Sequence, residues 1–136
     1  MSTDNYEKLE SFKTLEKDWD GYDADPISET TINNAKLLLD KLKENNQDGW
    51  EVFPINNGNV QIEKDINNNT YLEIEISNSN YTYMFFRNGL EVVGSVYHIE
   101  ENDSLIQELV KINSKKNEIE LQEKNNGLAT SSRFAE

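Results

Sequence analysis

Cysteine is absent from these 136 residues, histidine occurs once and proline twice. Without Cys there is no disulfide framework, no thiol nucleophile and no cysteine metal site. A single His leaves a transition-metal centre without its usual second imidazole, so neither a metal nor another cofactor is expected. Bases are scarce as well: 13 Lys and Arg face 26 Asp and Glu, a net charge of -13. Such a surface repels nucleic acid and anionic membrane. It suits a protein partner with a basic surface, or it serves solubility alone. No apolar run approaches the roughly 18 residues needed to span a bilayer. The first residues, MSTDNYEKLE, lack the basic and apolar regions of a signal peptide. A cytoplasmic protein is therefore expected. The phosphate-cradling and nucleophile-elbow patterns G-x-x-x-x-G-K-[ST], G-x-G-x-x-G and G-x-S-x-G are also missing.

The acids are unevenly placed. Residues 1–26 carry eight acids against three bases, and residues 49–101 carry eight against two. The remaining segments are close to balanced. Hydrophobic content is 35% and mean hydropathy -0.80, lean but enough for one modest core in a chain of this length. Asn runs such as Asn67-Asn68-Asn69 read as loop filling, since Asn tolerates left-handed turns.

Periodicity predicts an α+β fold. Tyr6, Leu9, Phe12, Leu15 and Trp19 mark a first helix over 5–18. Gly21 and Pro26 break the chain. A second helix is predicted over 27–46, capped by Asp25 with Pro26 in the first turn, or by Ser28. Its stripe is Ile32, Ala35, Leu38, Leu39 and Leu42. From Trp50 the pattern turns to strands at 50–55, 59–64, 70–77, 81–87 and 90–99. Asn57-Gly58 and Asn88-Gly89 signal type I′ hairpins, Asn78-Ser79-Asn80 a third turn, and 65–69 a longer Asn loop. Joints this short make a five-stranded antiparallel meander. Pro54 lacks a donor and suits an edge strand. A C-terminal helix is predicted over 103–113, capped by Asp103 or Asn102. The domain is placed at 1–113. Residues 114–136 read as a flexible polar tail, with Ile119 and Leu121 as a candidate short strand.

Strand alternation sorts the side chains. Leu72, Ile74 and Ile76 point one way, and Tyr71, Glu73 and Glu75 the other. Val60 and Ile62 likewise oppose Gln61 and Glu63. The solvent face should therefore gather Gln61, Glu63, Glu73 and Glu75. In the fourth strand Tyr81, Tyr83 and Phe85 share one face, Met84 and Phe86 the other. A strand apolar on both sides reads as central. Tyr81 and Tyr83 are core by that pattern, or an aromatic docking patch if they lie beside the acidic face.

The stretch EKDWDGYDAD, residues 16–25, packs five carboxylates around Gly21. A calcium loop needs a bidentate Glu at its twelfth position; alignment on Asp18, Asp20 and Gly21 places Ile27 there. The stretch reads instead as an acidic turn anchored by Trp19 and Tyr22. Asp18, Asp20, Tyr22, Asp23 and Asp25 then form a candidate recognition surface. Trp19 to Ser28, W-D-G-Y-x-A-x-P-I-S, resembles the signature of a family of small bacterial and phage-borne proteins with no established activity. That family is similar downstream, in V-F-P-x-x-x-G-x-V-Q-I-E (Val52 to Glu63) and L-E-I-E-I (Leu72 to Ile76). The resemblance spans about residues 15–77 and implies a shared fold and surface, not a reaction. Asp23 stands where the family more often has Gly, which implies a stiffer loop.

Three functions fit this reading. The first is an acidic binding or inhibitor protein of the immunity, antitoxin or phage anti-defence kind, acting on a basic partner without catalysis. The second is a secretion-type chaperone or adaptor, expected to be a homodimer with apolar grooves. The third is a small hydrolase built on Glu63, Glu73, Glu75 or His98, which requires a concave pocket holding those side chains.

Overall fold

The computed structural model describes residues 4–112, and of Val93 the backbone only. The expectations for 114–136, including the strand at Ile119 and Leu121, lie outside the described residues. The first helix, α1, covers Asn5–Ser11 and tightens into a 3-10 turn at Phe12–Thr14. It is shorter than the periodicity predicted. Ser11 Oγ donates to Lys8 O and Thr14 Oγ1 to Ser11 O, so two hydroxyls compete with the helical ladder in its last turn. Leu15 then turns extended, with ψ 123°.

The second helix, α2, covers Glu29–Glu44. Ser28 is its cap, its Oγ accepting from Thr31 N at 3.1 Å. Asp25 and Pro26 are not the cap. Asp25 instead donates its backbone N–H to Asn56 O at 2.8 Å, which holds this segment extended ahead of the helix. The predicted stripe is buried throughout, with Ile32, Ala35 and Leu38 fully so.

Five antiparallel strands follow in meander order: β1 Glu51–Pro54, β2 Val60–Asn67, β3 Thr70–Ile76, β4 Asn80–Arg87 and β5 Leu90–His98. β1, with Pro54, forms an edge among the described strands. Asn88 and Gly89 both have positive φ, 53° and 78°, as a type I′ turn requires. The Asn57-Gly58 turn differs from expectation: of the pair only Gly58 is left-handed, at φ 91°. Gly58 N bonds Ile55 O and Ile55 N bonds Asn59 O, so the loop is one residue longer than a type I′ hairpin. The Asn link is tighter than expected. β2 runs on to Asn67 through a bulge, and Asn67 Oδ1 accepts from both Asn69 N and Thr70 N.

After a 3-10 turn at Ile99–Glu101, a third helix, α3, runs over 102–112 within the described residues. Its start is bonded one turn earlier than Asn102 or Asp103: the His98 backbone N–H donates to Glu101 Oε1 at 2.8 Å. Asp103 pairs with Lys41 of α2 instead. Leu105, Ile106 and Leu109 join α2 and α1 in one apolar cluster on the inner sheet face, with Val60, Ile62, Leu72, Ile74 and Ile76 beneath.

Polar ties fix α2 on that face. Tyr81 Oη donates to Asn34 O at 2.9 Å, and Asn34 Nδ2 donates to Ser77 O at 3.0 Å. Tyr6 Oη donates to Asp40 Oδ1 at 2.6 Å and holds α1 to α2; desolvation and that carboxylate push its hydroxyl pKa up to about 12. Replacing Ser28 by Ala should lower stability by about 1 kcal/mol in urea unfolding at neutral pH, because Thr31 N loses its acceptor. Asp25→Asn, which removes a charge and no cap, should change stability by less than roughly 0.5 kcal/mol.

Candidate functional site: the open sheet face and the acidic loop

Alternation gives the sheet a second face. The apolar residues of α2 and α3 pack on the inner face, and α1 reaches the second face at its β1 edge through Lys8. Side chains of that second face fall into rows set by strand register. Glu51 pairs with Glu63 and Glu63 with Glu73, so three carboxylates stand side by side across β1, β2 and β3. The row continues through Met84 and Gly94. A parallel row runs Phe53, Gln61, Glu75, Thr82 and Val96. Tyr71 and Phe86 stack beside them, centroids 4.7 Å apart and planes 7° from parallel.

Hydrogen bonds divide the carboxylates. Glu75 Oε2 accepts from Asn57 Nδ2 at 3.1 Å and Asn59 Nδ2 at 2.6 Å. Glu63 Oε1 accepts from Gln61 Nε2 at 2.6 Å. Glu73 sits between them, and burial first, then the charges of Glu63 and Glu75, push its pKa up. Neighbouring carboxylates also raise the Tyr71 hydroxyl, after desolvation. Lys64 is in register with Leu72 of β3, and its Nζ lies 6.0 Å from the Trp50 ring. Lys8 of α1 stands over the Phe53 ring at 4.6 Å.

Tyr81 and Tyr83 are not part of this face. Both are 0% exposed on the inner side, and the docking-patch reading of them is corrected. Burial pushes the Tyr81 hydroxyl up to about 12 and raises Tyr83 as well. The odd positions of β4 point inward because Leu72, Ile74 and Ile76, their partners in register, are the apolar side of β3. The aromatics that do flank the acids are Phe53, Tyr71 and Phe86. The same alternation that assigned Glu73 carries that signal, as it does for Glu51 beside Val52.

The acidic loop uses its carboxylates on its own backbone. Asp18 Oδ1 accepts from Asp23 N at 2.6 Å. Asp20 Oδ1 accepts from Tyr22 N and Ala24 N. Asp18 N bonds Ala24 O at 2.7 Å, and Trp19 Nε1 donates to Asp25 O at 2.7 Å. Lys17 bridges Asp25 and Asp23, whose hydrogen bonds raise its pKa. Asp18, Gly21 and Asp23 all have left-handed φ, 70°, 79° and 66°. This wiring holds Tyr22 out to solvent, 86% exposed. The loop is also docked on the β1–β2 hairpin. Besides the Asp25–Asn56 bond, a Cβ on Gly58 would lie 3.1 Å from Pro26 O.

The side chains expected of a hydrolase do not surround one cavity. A shallow depression of about 170 Å³ is lined by Gly49, Glu51, Glu63, Lys64 and Asp65. Glu73 and Glu75 lie along the open face, and His98 sits opposite Asn80 at the far end of β5. Among the described residues no three His, Asp or Glu side chains are placed to hold a metal ion. None of the described helices is long and apolar enough to cross a membrane. No protein-family model matches the chain, and no curated protein or solved structure matches it.

Two outcomes test this description. Glu73 has a raised pKa in the folded chain, so ionising it costs stability that returns as pH falls through that raised value. Glu73→Gln should therefore stabilise the fold at pH 7 by less than about 1 kcal/mol, seen as a higher Tm, and the gain over wild type should shrink on acidification through the carboxylate range. A gain unchanged with pH would exclude the charge cause. Gly58→Ala should cost about 1–2 kcal/mol in urea unfolding, from its left-handed φ and the approach of Pro26 O.

Proposed function

We propose that this chain is a small acidic binding protein of the inhibitor type, which covers a basic surface on a protein partner. The observation that carries this reading is the row Glu51, Glu63 and Glu73: three carboxylates in register across adjacent strands, facing solvent. Adjacent like charges on a sheet cost stability. A cationic partner would offset that cost, and the same field would steer its approach. Free nucleic acid and anionic lipid carry the wrong charge for this face. Immunity proteins, antitoxins and phage anti-defence factors are the functional types that fit, in the cytoplasm and on a phage or other mobile element.

The resemblance of Trp19–Ser28, Val52–Glu63 and Leu72–Ile76 to a family of small bacterial and phage-borne proteins draws support from their contacts. Pro26 packs against Gly58, and Asn57 and Asn59 bond Glu75, so the three segments form one continuous unit. Asp23, where that family more often has Gly, has φ 66°, a conformation Gly adopts without strain. A chaperone or adaptor role is the second reading, favoured by the exposed Leu90, Val92 and Val96 of β5. It requires a homodimer in solution.

The test is affinity capture from the bacterial host at low salt with three baits. One is wild type, one carries Asp18, Asp20, Asp23 and Asp25 changed to Asn, and one carries Glu51, Glu63 and Glu73 changed to Gln. Asn keeps the acceptor oxygens that shape the loop, so the second bait loses charge alone. A basic protein should be held by wild type, released at about 0.5 M salt, and lost from the sheet variant. Capture by all three baits alike, or of no basic protein, would overturn the reading.

A further inference from the structure

Asn-Gly occurs at Asn57-Gly58, Asn88-Gly89 and Asn126-Gly127. The last pair lies outside the described residues. The other two sit in hairpin loops and differ in what holds them. Asn is a labile residue, most of all before Gly. With no side chain on the next α-carbon, the Gly nitrogen is free to reach the Asn carboxamide. Two groups then control the reaction: the Asn side chain and the Gly N–H.

At the first hairpin both groups are engaged. Asn57 Oδ1 accepts from Asn59 N at 3.0 Å, and Asn57 Nδ2 donates to Glu75 Oε2 at 3.1 Å. The Gly58 N–H donates to Ile55 O at 3.0 Å. The loop is also braced from outside, by Pro26 O. At the second hairpin neither group is engaged among the described residues. Only the backbone N–H of Asn88 is tied, donating to Asn69 O at 2.7 Å. A Cβ on Gly89 would meet nothing within 4 Å, and Asn88, Gly89 and Leu90 are all exposed. This tip distorts without disturbing any buried group, which makes it a place of low local stability.

We propose that Asn88 is a site of spontaneous deamidation through a succinimide, with water as the co-reactant, and that the fold protects Asn57 from the same chemistry. The Gly89 nitrogen attacks Asn88 Cγ. An N–Cγ bond forms and the Cγ–Nδ2 bond breaks. Nδ2 leaves as ammonia, taking up the proton that Gly89 N gives up. Water then opens the cyclic imide. Opening at Cγ restores the backbone, with Asp in place of Asn88. Opening at the Asn88 carbonyl carbon leaves isoaspartate, with the chain routed through the former side chain. Either product adds a negative charge at the tip of the β4–β5 hairpin. Isoaspartate also adds a methylene to a two-residue turn whose length fixes its φ values, and so displaces the Arg87–Leu90 pairing.

The test incubates the full chain, folded, at mildly alkaline pH, followed by tryptic digestion and mass spectrometry. Cleavage at Lys43, Lys64, Arg87, Lys111, Lys124 and Arg133 puts the three Asn-Gly pairs in separate peptides, 44–64, 88–111 and 125–133. Fragment ions locate the change within each peptide, and a zero-time digest corrects for conversion during digestion. Asn88 should convert at least about tenfold faster than Asn57, because three hydrogen bonds must break at Asn57 and none at the Asn88 side chain or Gly89 N–H. In urea-unfolded chain the two rates should converge. Similar rates at Asn57 and Asn88 in the folded chain would overturn the proposal. So would a difference that persists in urea, which would place the cause in neighbouring sequence and not in the fold. An unmodified Asn88 in folded chain, over a time in which unfolded chain converts, would overturn it as well.

Discussion

The burial of the α2 stripe on the inner face of the sheet is the contact on which the rest of the molecule depends. Ile32, Ala35, Leu38 and Leu42 meet Ile62, Ile74, Ile76 and Tyr81, each at most 1% exposed. Deleting one such side chain from a filled core typically costs about 2–5 kcal/mol. Because a strand alternates, this choice of inner face also determines the outer one. Val60, Ile62, Leu72 and Ile74 cannot be buried without Gln61, Glu63, Tyr71 and Glu73 turning outward. The acidic row is thus a direct consequence of the same register that fills the core.

A second level of organisation is polar and local. The loop at 16–25 would be expected to repel itself, yet its carboxylates accept hydrogen bonds from backbone amides in the same loop. Charged acceptors of this kind are among the stronger hydrogen bonds a surface can make. The loop then leans on the β1–β2 hairpin through Asp25 and Asn56, and the hairpin's Asn57 and Asn59 reach across to Glu75 on β3. Segments far apart in sequence become one rigid corner. Of the acids on the open face, those near this corner are bonded, and Glu73, further along the strand, bears the raised pKa.

The carboxylates and the apolar side chains of the open face have different energetic characters. Exposed carboxylates are mostly screened by water, so their mutual repulsion is modest in the free chain. Exposed Val96 and half-buried Met84 and Phe86 forgo burial that the inner face already provides to their neighbours. A cationic cover over this face would relieve repulsion and bury apolar area together. That coupling links the stability of the free chain to the recognition proposed for it.

How much of this was legible in the sequence follows from the range of each interaction. Alternation and helical periodicity are local, so the α+β class, the meander, the α2 stripe and the outward set Gln61, Glu63, Glu73 and Glu75 could be read from neighbouring residues. Asn88-Gly89 was legible for the same reason, since a two-residue turn imposes its φ requirements on the spot. The Asn57-Gly58 turn was not, because Asn-Gly also fits a three-residue loop with Gly left-handed, and the pairing of Ile55 with Asn59 decided between them. Nor could Asp25 be recognised as a hairpin partner and not a helix cap before Asn56 was placed beside it. Tyr81 and Tyr83 carried both a core and a surface reading, because β4 is aromatic on both sides; only pairing with the apolar side of β3 assigned them inward. The sequence by itself determined which residues alternate and how charge is distributed along the chain. The tertiary structure alone decided which strands stand in register, and so brought Glu51, Glu63 and Glu73 into one row beside Met84, because side-chain proximity across strands is set by long-range hydrogen bonding that no local pattern encodes.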